Sequence, residues 1–241
     1  MAGHNKWSQI KHKKAKTDAQ KGKVFSKYAR EITISVKIHG DDPSHNTRLR
    51  LAIQKAKASN MPAENIQRAI QKGSGNDDSS QLEEIIFEAY GSNGVALLIE
   101  TVTDNRKRTV PNIKSVLNKY GGSLATVGAV NYLFDKKGLF IFEPGSDEEL
   151  IFSIIDQFEI EEIDINDDQS IEIICKPELF EQVKIGFDER YIEYLHADIE
   201  QIPSTKIKLD EAAAKSIFTL IEKLEEDDDV QKTHTNLEVI S

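Results

Sequence analysis

The chain has 241 residues, of which 39% are apolar and 30% charged, so it can bury the cores of two or three modest domains and is not disordered throughout. Its most apolar central stretch, residues 95–99, is far too short to cross a membrane, and we expect no signal peptide after the basic start. The only cysteine, Cys175, excludes an intrachain disulfide, and we therefore expect a cytoplasmic location.

The charge of the chain changes sign at about residue 75. Residues 1–75, the basic front, hold 16 Lys and Arg against 5 Asp and Glu. Residues 76–241, the acidic body, hold 15 against 36, so the formal net charge of −10 conceals balances of +11 and −21. Lysine and arginine gain affinity for phosphates by displacing counterions, and the basic front therefore predicts a polyanionic partner.

The first 22 residues lack apolar periodicity, and the mutual repulsion of their lysines predicts a mobile arm. We expect nucleic-acid contacts from this arm and the residue after it: Lys6, Trp7, Lys11, His12, Lys13, Lys14, Lys16, Lys21 and Lys23. Trp7 could add roughly 1–3 kcal/mol by stacking on an unpaired base. The alternatives are an acidic peptide or membrane partner, or a solubilising tail in which Trp7 and Ile10 pack onto the body.

Residues 23–75 predict a bundle of three amphipathic helices. Apolar residues recur at steps of three and four from residue 25 to 36, again in residues 47–59 behind an Asn46 cap, and a third time between Pro62 and Gly73. Residues 73–80 have the composition of a linker. We expect the outward faces of the bundle to carry Lys27, Arg30, Arg48, Lys55, Lys57, Arg68 and Lys72.

Beyond the linker the period changes to that of strands, predicted at 85–90, 95–102 and 130–134, with a helix ending before Gly121. Arg106, Lys107 and Arg108 lie where that helix begins, and three cations there oppose the helix dipole. They are better explained by a phosphate bound to the free backbone N–H groups of the first turn. The alternative is that Asp104 or Asn105 caps the helix and the cations face water.

Residues 139–202 predict the strand–helix–strand–strand–helix–strand order of a ferredoxin-like unit, with a helix capped by Ser146 and another opened by Pro177. A helix capped by Asp210 and a strand at 230–239 then complete the incomplete unit of residues 82–135. The predicted fold is α+β: an arm (1–22), a basic three-helix bundle (23–75), and two α/β domains. One of these is discontinuous (82–135 and 205–241), and the ferredoxin-like one (136–204) is inserted in it.

The residues give little support for catalysis. Cys175 is predicted to be a core residue, His196 has no nucleophile beside it in the sequence, and His4 and His12 lack partners at zinc-ligand spacing. The acidic run at residues 225–229 is typical of a solvated helix end. We therefore expect no enzyme activity, no cofactor and no metal.

Three sequence strings carry a family resemblance: MAGHNKWSQIKHKK at residues 1–14, DAQKGK at 18–23 and TDNR at 103–106. The chain resembles the YebC/PmpR family over essentially its whole length. The resemblance implies a basic helical bundle and two α/β domains, one inserted in the other, and no catalytic residue. Many members have a neutral residue where this chain has Lys107.

Bacterial members of that family are described as cytoplasmic transcriptional regulators that bind DNA. Mitochondrial relatives are described as translational activators, and a ribosome-associated role at proline runs has been proposed for bacterial members. The exposed side chains predicted for the bundle include few amides for reading base edges, which disfavours operator recognition. The sequence therefore predicts a nucleic-acid-binding regulator, of the DNA-binding transcriptional type or, alternatively, a translation factor bound to RNA or the ribosome.

Overall fold

The computed structural model describes residues 6–10, 21–75 and 82–240, and within them the chain folds as predicted into a helical N-terminal region followed by two α/β units. None of the helices in these residues is long and apolar enough to cross a membrane. The helices are α1 (residues 6–10), α2 (Lys21–His39), α3 (Thr47–Ala58), α4 (Ala63–Ser74), α5 (Arg106–Lys119), α6 (Glu148–Ile155), α7 (Phe180–Glu189) and α8 (Glu211–Glu225). The strands are β1 (Glu83–Tyr90), β2 (Ala96–Thr103), β3 (Ser123–Leu124), β4 (Phe134–Phe142), β5 (Ile160–Ile165), β6 (Ile171–Cys175), β7 (His196–Pro203), β8 (Ile207–Asp210), β9 (Val230–Thr235) and β10 (Leu237–Ile240).

Helices α2, α3 and α4 form the predicted bundle. Asn46 caps α3, because its side chain accepts a hydrogen bond from the N–H of Leu49 and donates to the carbonyls of Ser35 (2.9 Å) and Gly40 (2.7 Å). The bundle core consists of Ile32, Val36, Leu49, Ala52, Ala56, Met61, Ile66 and Ala69.

The first sheet has the strand order β3-β1-β2-β9, and its neighbours are antiparallel. Helices α5 and α8 cover it, and Ile113, Leu117, Ile217 and Leu220 pack against Leu97 in one core. Strands β8 and β10 form a separate parallel pair. Because β9 follows the second sheet in the chain, the first unit contains residues from both sides of the second.

The second sheet has the order β5-β6-β4-β7, again antiparallel, with α6 and α7 on one face. This is the ferredoxin-like arrangement. Phe140 of β4 stacks on Phe180 at a centroid distance of 4.9 Å and meets Phe187 edge-on at 5.3 Å. Strand β4 begins at Phe134, ahead of the predicted domain boundary at residue 136, and the exact boundaries of the domains stay predictions.

Several predicted element limits were wrong. Residues 131–133 form a 3-10 turn where a strand was predicted at 130–134, because the backbone N–H groups of residues 128, 130 and 131 bond to Glu88. Asp147, not Ser146, caps α6, and α7 begins at Phe180, three residues after Pro177. The strand predicted at 230–239 is divided at Asn236.

The part of the predicted arm that the structure describes is packed on the body, and the mobility of the arm stays a prediction. Residues 6–10 are helical, and Trp7 and Ile10, three residues apart on one helix face, pack on the second sheet. Lys11, His12, Lys13, Lys14 and Lys16 lie outside the described residues, and so does the side chain of Lys21.

Candidate nucleic-acid interface

The start of α2 lies beside the acidic run that follows α8. The ammonium group of Lys23 donates a hydrogen bond to the carbonyl of Glu226 (3.2 Å), and that of Lys27 to the carbonyl of Glu225 (2.6 Å). Lys23 is exposed, whereas Lys27 is half-buried. The basic front and the C-terminal end of α8 are therefore in direct contact.

Asp229, at the end of the acidic run, joins the middle of α2 to the start of α5. Its buried carboxylate contacts Arg30 of α2 and accepts hydrogen bonds from Arg108 (2.8 and 3.0 Å), Thr109 (2.7 Å) and Thr103 (3.1 Å). Burial opposes ionisation, but the bonds from Arg108 and Thr109 and the charge of Arg30 lower the pKa of Asp229. A cation of the bundle, Arg30, and one of the basic cluster at the start of α5, Arg108, thus meet at one buried carboxylate.

The three cations of α5 have different surroundings. Asn105 is the N-cap, accepting from the N–H of Arg108 at 3.2 Å, in agreement with the capping alternative. Arg108 also pairs with Asp104 at 2.9 Å, whereas Arg106 and Lys107 are exposed. Arg106 and Lys107 therefore face solvent, and their contact with nucleic acid stays a prediction.

Lys6 and Trp7 are already engaged within the protein. The Lys6 ammonium lies 3.2 Å from a Glu200 carboxylate oxygen, and the Trp7 indole N–H donates to Asp168 at 2.8 Å. Trp7 also packs on a cluster formed by Leu139, Ile141, Ile174 and Ile202. The arrangement agrees with packing of Trp7 and Ile10 onto the body, and contact of either Lys6 or Trp7 with nucleic acid stays a prediction.

The bundle cations predicted to face outward mostly face the acidic body. Arg48 binds Glu31 (2.7 Å) and contacts Glu84 of β1, and Lys55 lies 2.5 Å from Asp198 of β7. Arg50 pairs with Glu181 of α7 in addition. Of the predicted outward set, Lys57, Arg68 and Lys72 are exposed.

Between the bundle and the two sheets lies a cleft of about 1210 Å³, with Lys27, Arg48, Lys55, Glu100, Asp198 and Lys232 among its lining residues. A cluster of charged side chains in this cleft was not predicted from the sequence. Glu200, 2% exposed, lies within 3.0–3.7 Å of His196, His234 and Lys232. The signal available was charged residues at alternate positions of two strands, 198 and 200 on β7 and 232 and 234 on β9.

The ionisation states of the buried groups in this cluster are determined by the opposite charges beside them. Although burial favours the neutral forms, Lys232 and Lys6 lower the pKa of Glu200. Lys232 and Lys55 likewise lower the pKa of Asp198. Burial also opposes the charge on His234, but the two carboxylates of Glu100 and Glu200 raise its pKa. The cluster therefore keeps buried carboxylates charged by surrounding them with cations.

The cysteine and histidine residues considered as candidates for catalysis lie in surroundings that are typical of structural residues. Cys175 is buried, and burial raises the pKa of its thiol to about 12, which disfavours the nucleophilic thiolate. His196 contacts Glu200 at 3.0 Å. Within residues 6–10, 21–75 and 82–240, no three His, Cys, Asp or Glu side chains are grouped as a metal site would require.

The chain matches known proteins over nearly its whole length. Residues 5–76 match a family model described as the TACO1/YebC protein N-terminal domain, and residues 82–237 match one described as the TACO1/YebC second and third domain. A probable transcriptional regulatory protein of Shewanella oneidensis is 44% identical over 99% of this chain and 96% of its own. Another from Rhodopirellula baltica is 41% identical over 98% of this chain and 96% of its own. The crystal structure of a conserved hypothetical protein of Aquifex aeolicus superposes with a TM-score of 0.83 at 37% identity, covering 94% of both chains.

Proposed function

The chain belongs to the TACO1/YebC family, and on that premise we propose that it is a regulator of gene expression that acts by binding nucleic acid, as a DNA-binding transcriptional regulator. The names of its relatives, probable transcriptional regulatory proteins, support the regulatory part of this proposal. The observation that supports the binding part is the junction at Asp229, which joins Arg30 in the middle of α2 to Arg108 in the first turn of α5.

The proposed contacts are of the phosphate type. Lys23 at the start of α2 and Arg106 and Lys107 at the start of α5 are exposed cations. The positive end of the α5 helix dipole lies at Arg106 and Lys107 and favours an anion. The basic N-terminal segment from Lys6 to Lys21 would extend this surface. Such contacts give affinity and orientation but little sequence information, so we expect weak sequence preference.

RNA is the second candidate, and the inward pairing of the bundle favours it. Arg48, Arg50 and Lys55 are engaged by carboxylates of the acidic body. A helix that entered a major groove would need such side chains for the flanking phosphates. Contact restricted to the segment before α2 and to exposed cations suits unpaired RNA, including ribosomal RNA, better than a long duplex.

The proposal is tested by removing two exposed cations and measuring binding against salt concentration. Log affinity falls linearly with log salt concentration, so the slope is negative. We expect the double variant Arg106→Gln/Lys107→Gln to make this slope less steep by about 1.8 for duplex DNA or about 1.4 for single-stranded RNA. Fluorescence anisotropy with labelled duplex DNA and labelled RNA of equal length gives these slopes, and co-sedimentation with ribosomes tests the second candidate.

The matched control is Lys57→Gln/Lys72→Gln, which removes the same charge from two other exposed positions. We expect its slopes to stay near those of the unchanged protein. Equal losses in the two double variants would show that only overall charge matters and would contradict the proposed contacts. Failure of the unchanged protein to bind either nucleic acid would contradict the function itself.

A further inference from the structure

The outer face of the second sheet, opposite α6 and α7, is acidic around a small apolar centre. In an antiparallel sheet directly opposed residues share a face. The register pairs Leu139 with Ile174 and with Asp198, and Ile141 with Glu172. The carboxylates on this face include Glu162, Asp164, Asp198 and Glu200.

This acidic face is covered by α1, which belongs to the basic front. Trp7 and Ile10 pack on the apolar centre, Lys6 is paired with Glu200 and the indole N–H of Trp7 bonds to Asp168. Gln9 is buried in the same contact. The docked helix is thus held by a small apolar contact flanked by polar contacts to carboxylates.

The docked position excludes the contacts that α1 would make with nucleic acid. A Lys6 ammonium at 3.2 Å from Glu200 is not available to a phosphate, and an indole packed on Leu139 and Ile141 cannot stack on a base. The carboxylates of the sheet therefore take the place that phosphates would occupy.

Release of α1 need not strand a buried charge. If Lys6 left, Glu200 would keep Lys232, His196 and His234 as partners. A buried carboxylate that loses every partner destabilises a protein strongly, whereas one that keeps a cation does not. The contact can consequently open and close without unfolding the second sheet.

We propose that the acidic outer face of the second sheet is a docking site for the chain's own segment at residues 6–10, and that this docking competes with nucleic acid. The inference rests on the proposed function, because the competitor is the same polyanion. Nucleic acid would bind the released segment. The apparent affinity of the protein for nucleic acid would then be the intrinsic affinity multiplied by the fraction of molecules in which the segment is undocked.

The only tryptophan of the chain, Trp7, reports the docked state without a label. We expect titration with single-stranded RNA to shift Trp7 emission to the red, toward that of the denatured chain. Anisotropy of the labelled RNA, measured on the same samples, reports binding separately. The same titration is made with duplex DNA. Binding of either nucleic acid with unchanged Trp7 emission would overturn the docking inference and leave the proposed function standing, whereas failure to bind both would overturn both.

A variant on the sheet side tests the competition from the other direction. Asp168→Ala removes the acceptor of the indole N–H, and we expect red-shifted Trp7 emission without RNA and RNA binding tighter by up to about tenfold. Asp167→Ala removes the neighbouring exposed carboxylate from the same turn and is expected to change neither reading. Red-shifted emission in Asp168→Ala with unchanged affinity would overturn the competition.

Discussion

Glu172 of β6 is a carboxyl group that the fold keeps from ionising. It is 1% exposed, and its nearest polar partner is the Asn166 amide, which donates at 3.3 Å. Burial raises the pKa of Glu172 to about 8, the charges of Asp164 and Glu162 act in the same direction, and Lys206 opposes them. Near neutral pH the folded protein therefore holds a proton on Glu172 that the unfolded chain releases.

This retained proton makes the stability depend on pH. Because the folded pKa lies above the ordinary value of 4.5, the contribution is favourable below pH 4.5 and is lost as pH rises toward about 8. Glu172→Gln removes the titration, so we expect the variant to exceed the parent by roughly 1–3 kcal/mol in free energy of unfolding at pH 8 and to match it near pH 4.5. Urea unfolding at both pH values checks this, with Glu193→Gln, at an exposed position, as the charge-matched control. A difference that is the same at both pH values would contradict it.

The contact between α2 and α4 depends on the absence of a side chain at Gly73. A Cβ there would lie 2.6 Å from the carbonyl oxygen of Thr33 and 2.6 Å from Cβ of Val36. The Thr33 hydroxyl donates to the carbonyl of Ala69 at 3.0 Å across the same contact. The two helices are therefore at closest approach where α4 has no side chain.

Two glycine substitutions in the helices of the bundle should have opposite effects. We expect Gly73→Ala to lower the free energy of unfolding by about 1–3 kcal/mol, because α2 and α4 must move apart. Gly22→Ala meets no atom within 4 Å and should raise it by up to about 1 kcal/mol through helix propensity. Urea unfolding of both variants checks this pair of signs. A stabilising Gly73→Ala would show that the close approach is not needed.

Helices and strands could be predicted where the apolar residues follow one clear period. They could not be predicted where a residue far away in the sequence determines the local backbone. The three bundle helices and the ferredoxin-like order followed from local periodicity. The turn at residues 131–133 depends on Glu88, more than 40 residues earlier in the chain, and no local pattern announces it. The basic cluster at Arg106–Arg108 was visible in the sequence, but its junction with α2 depends on Asp229, which only the fold brings there.

At the scale of the whole molecule, the charge division of the sequence becomes an internal attraction. Ion pairs join the bundle to the acidic body at several places, among them Arg30 with Asp229, Arg50 with Glu181, and Lys55 with Asp198. These pairs hold the bundle against both α/β units and close one side of the cleft. The surplus cations of the front are thus partly neutralised before any partner binds.

Removing two of these cations should loosen the bundle from the body without unfolding it. We expect Arg50→Gln/Lys55→Gln to increase the radius of gyration measured by small-angle X-ray scattering, and the increase to shrink in 1 M salt, where the unchanged protein also loses screened pairs. Helical content by circular dichroism should stay constant. Lys57→Gln/Lys72→Gln is the control, and an equal increase in radius there would contradict a role for the pairs.

The cluster around Glu200 and Asp198 has a consequence for how this protein can be dissected. Its carboxylates belong to β7, but their lysines come from three other places: Lys6 of α1, Lys55 of α3 and Lys232 of β9. A fragment limited to the ferredoxin-like unit would leave these cations behind and carry two adjacent carboxylates with none of the three lysines. The acidity and stability of such a fragment would reflect the loss of these lysines. The properties of the ferredoxin-like unit should therefore be measured in the intact chain.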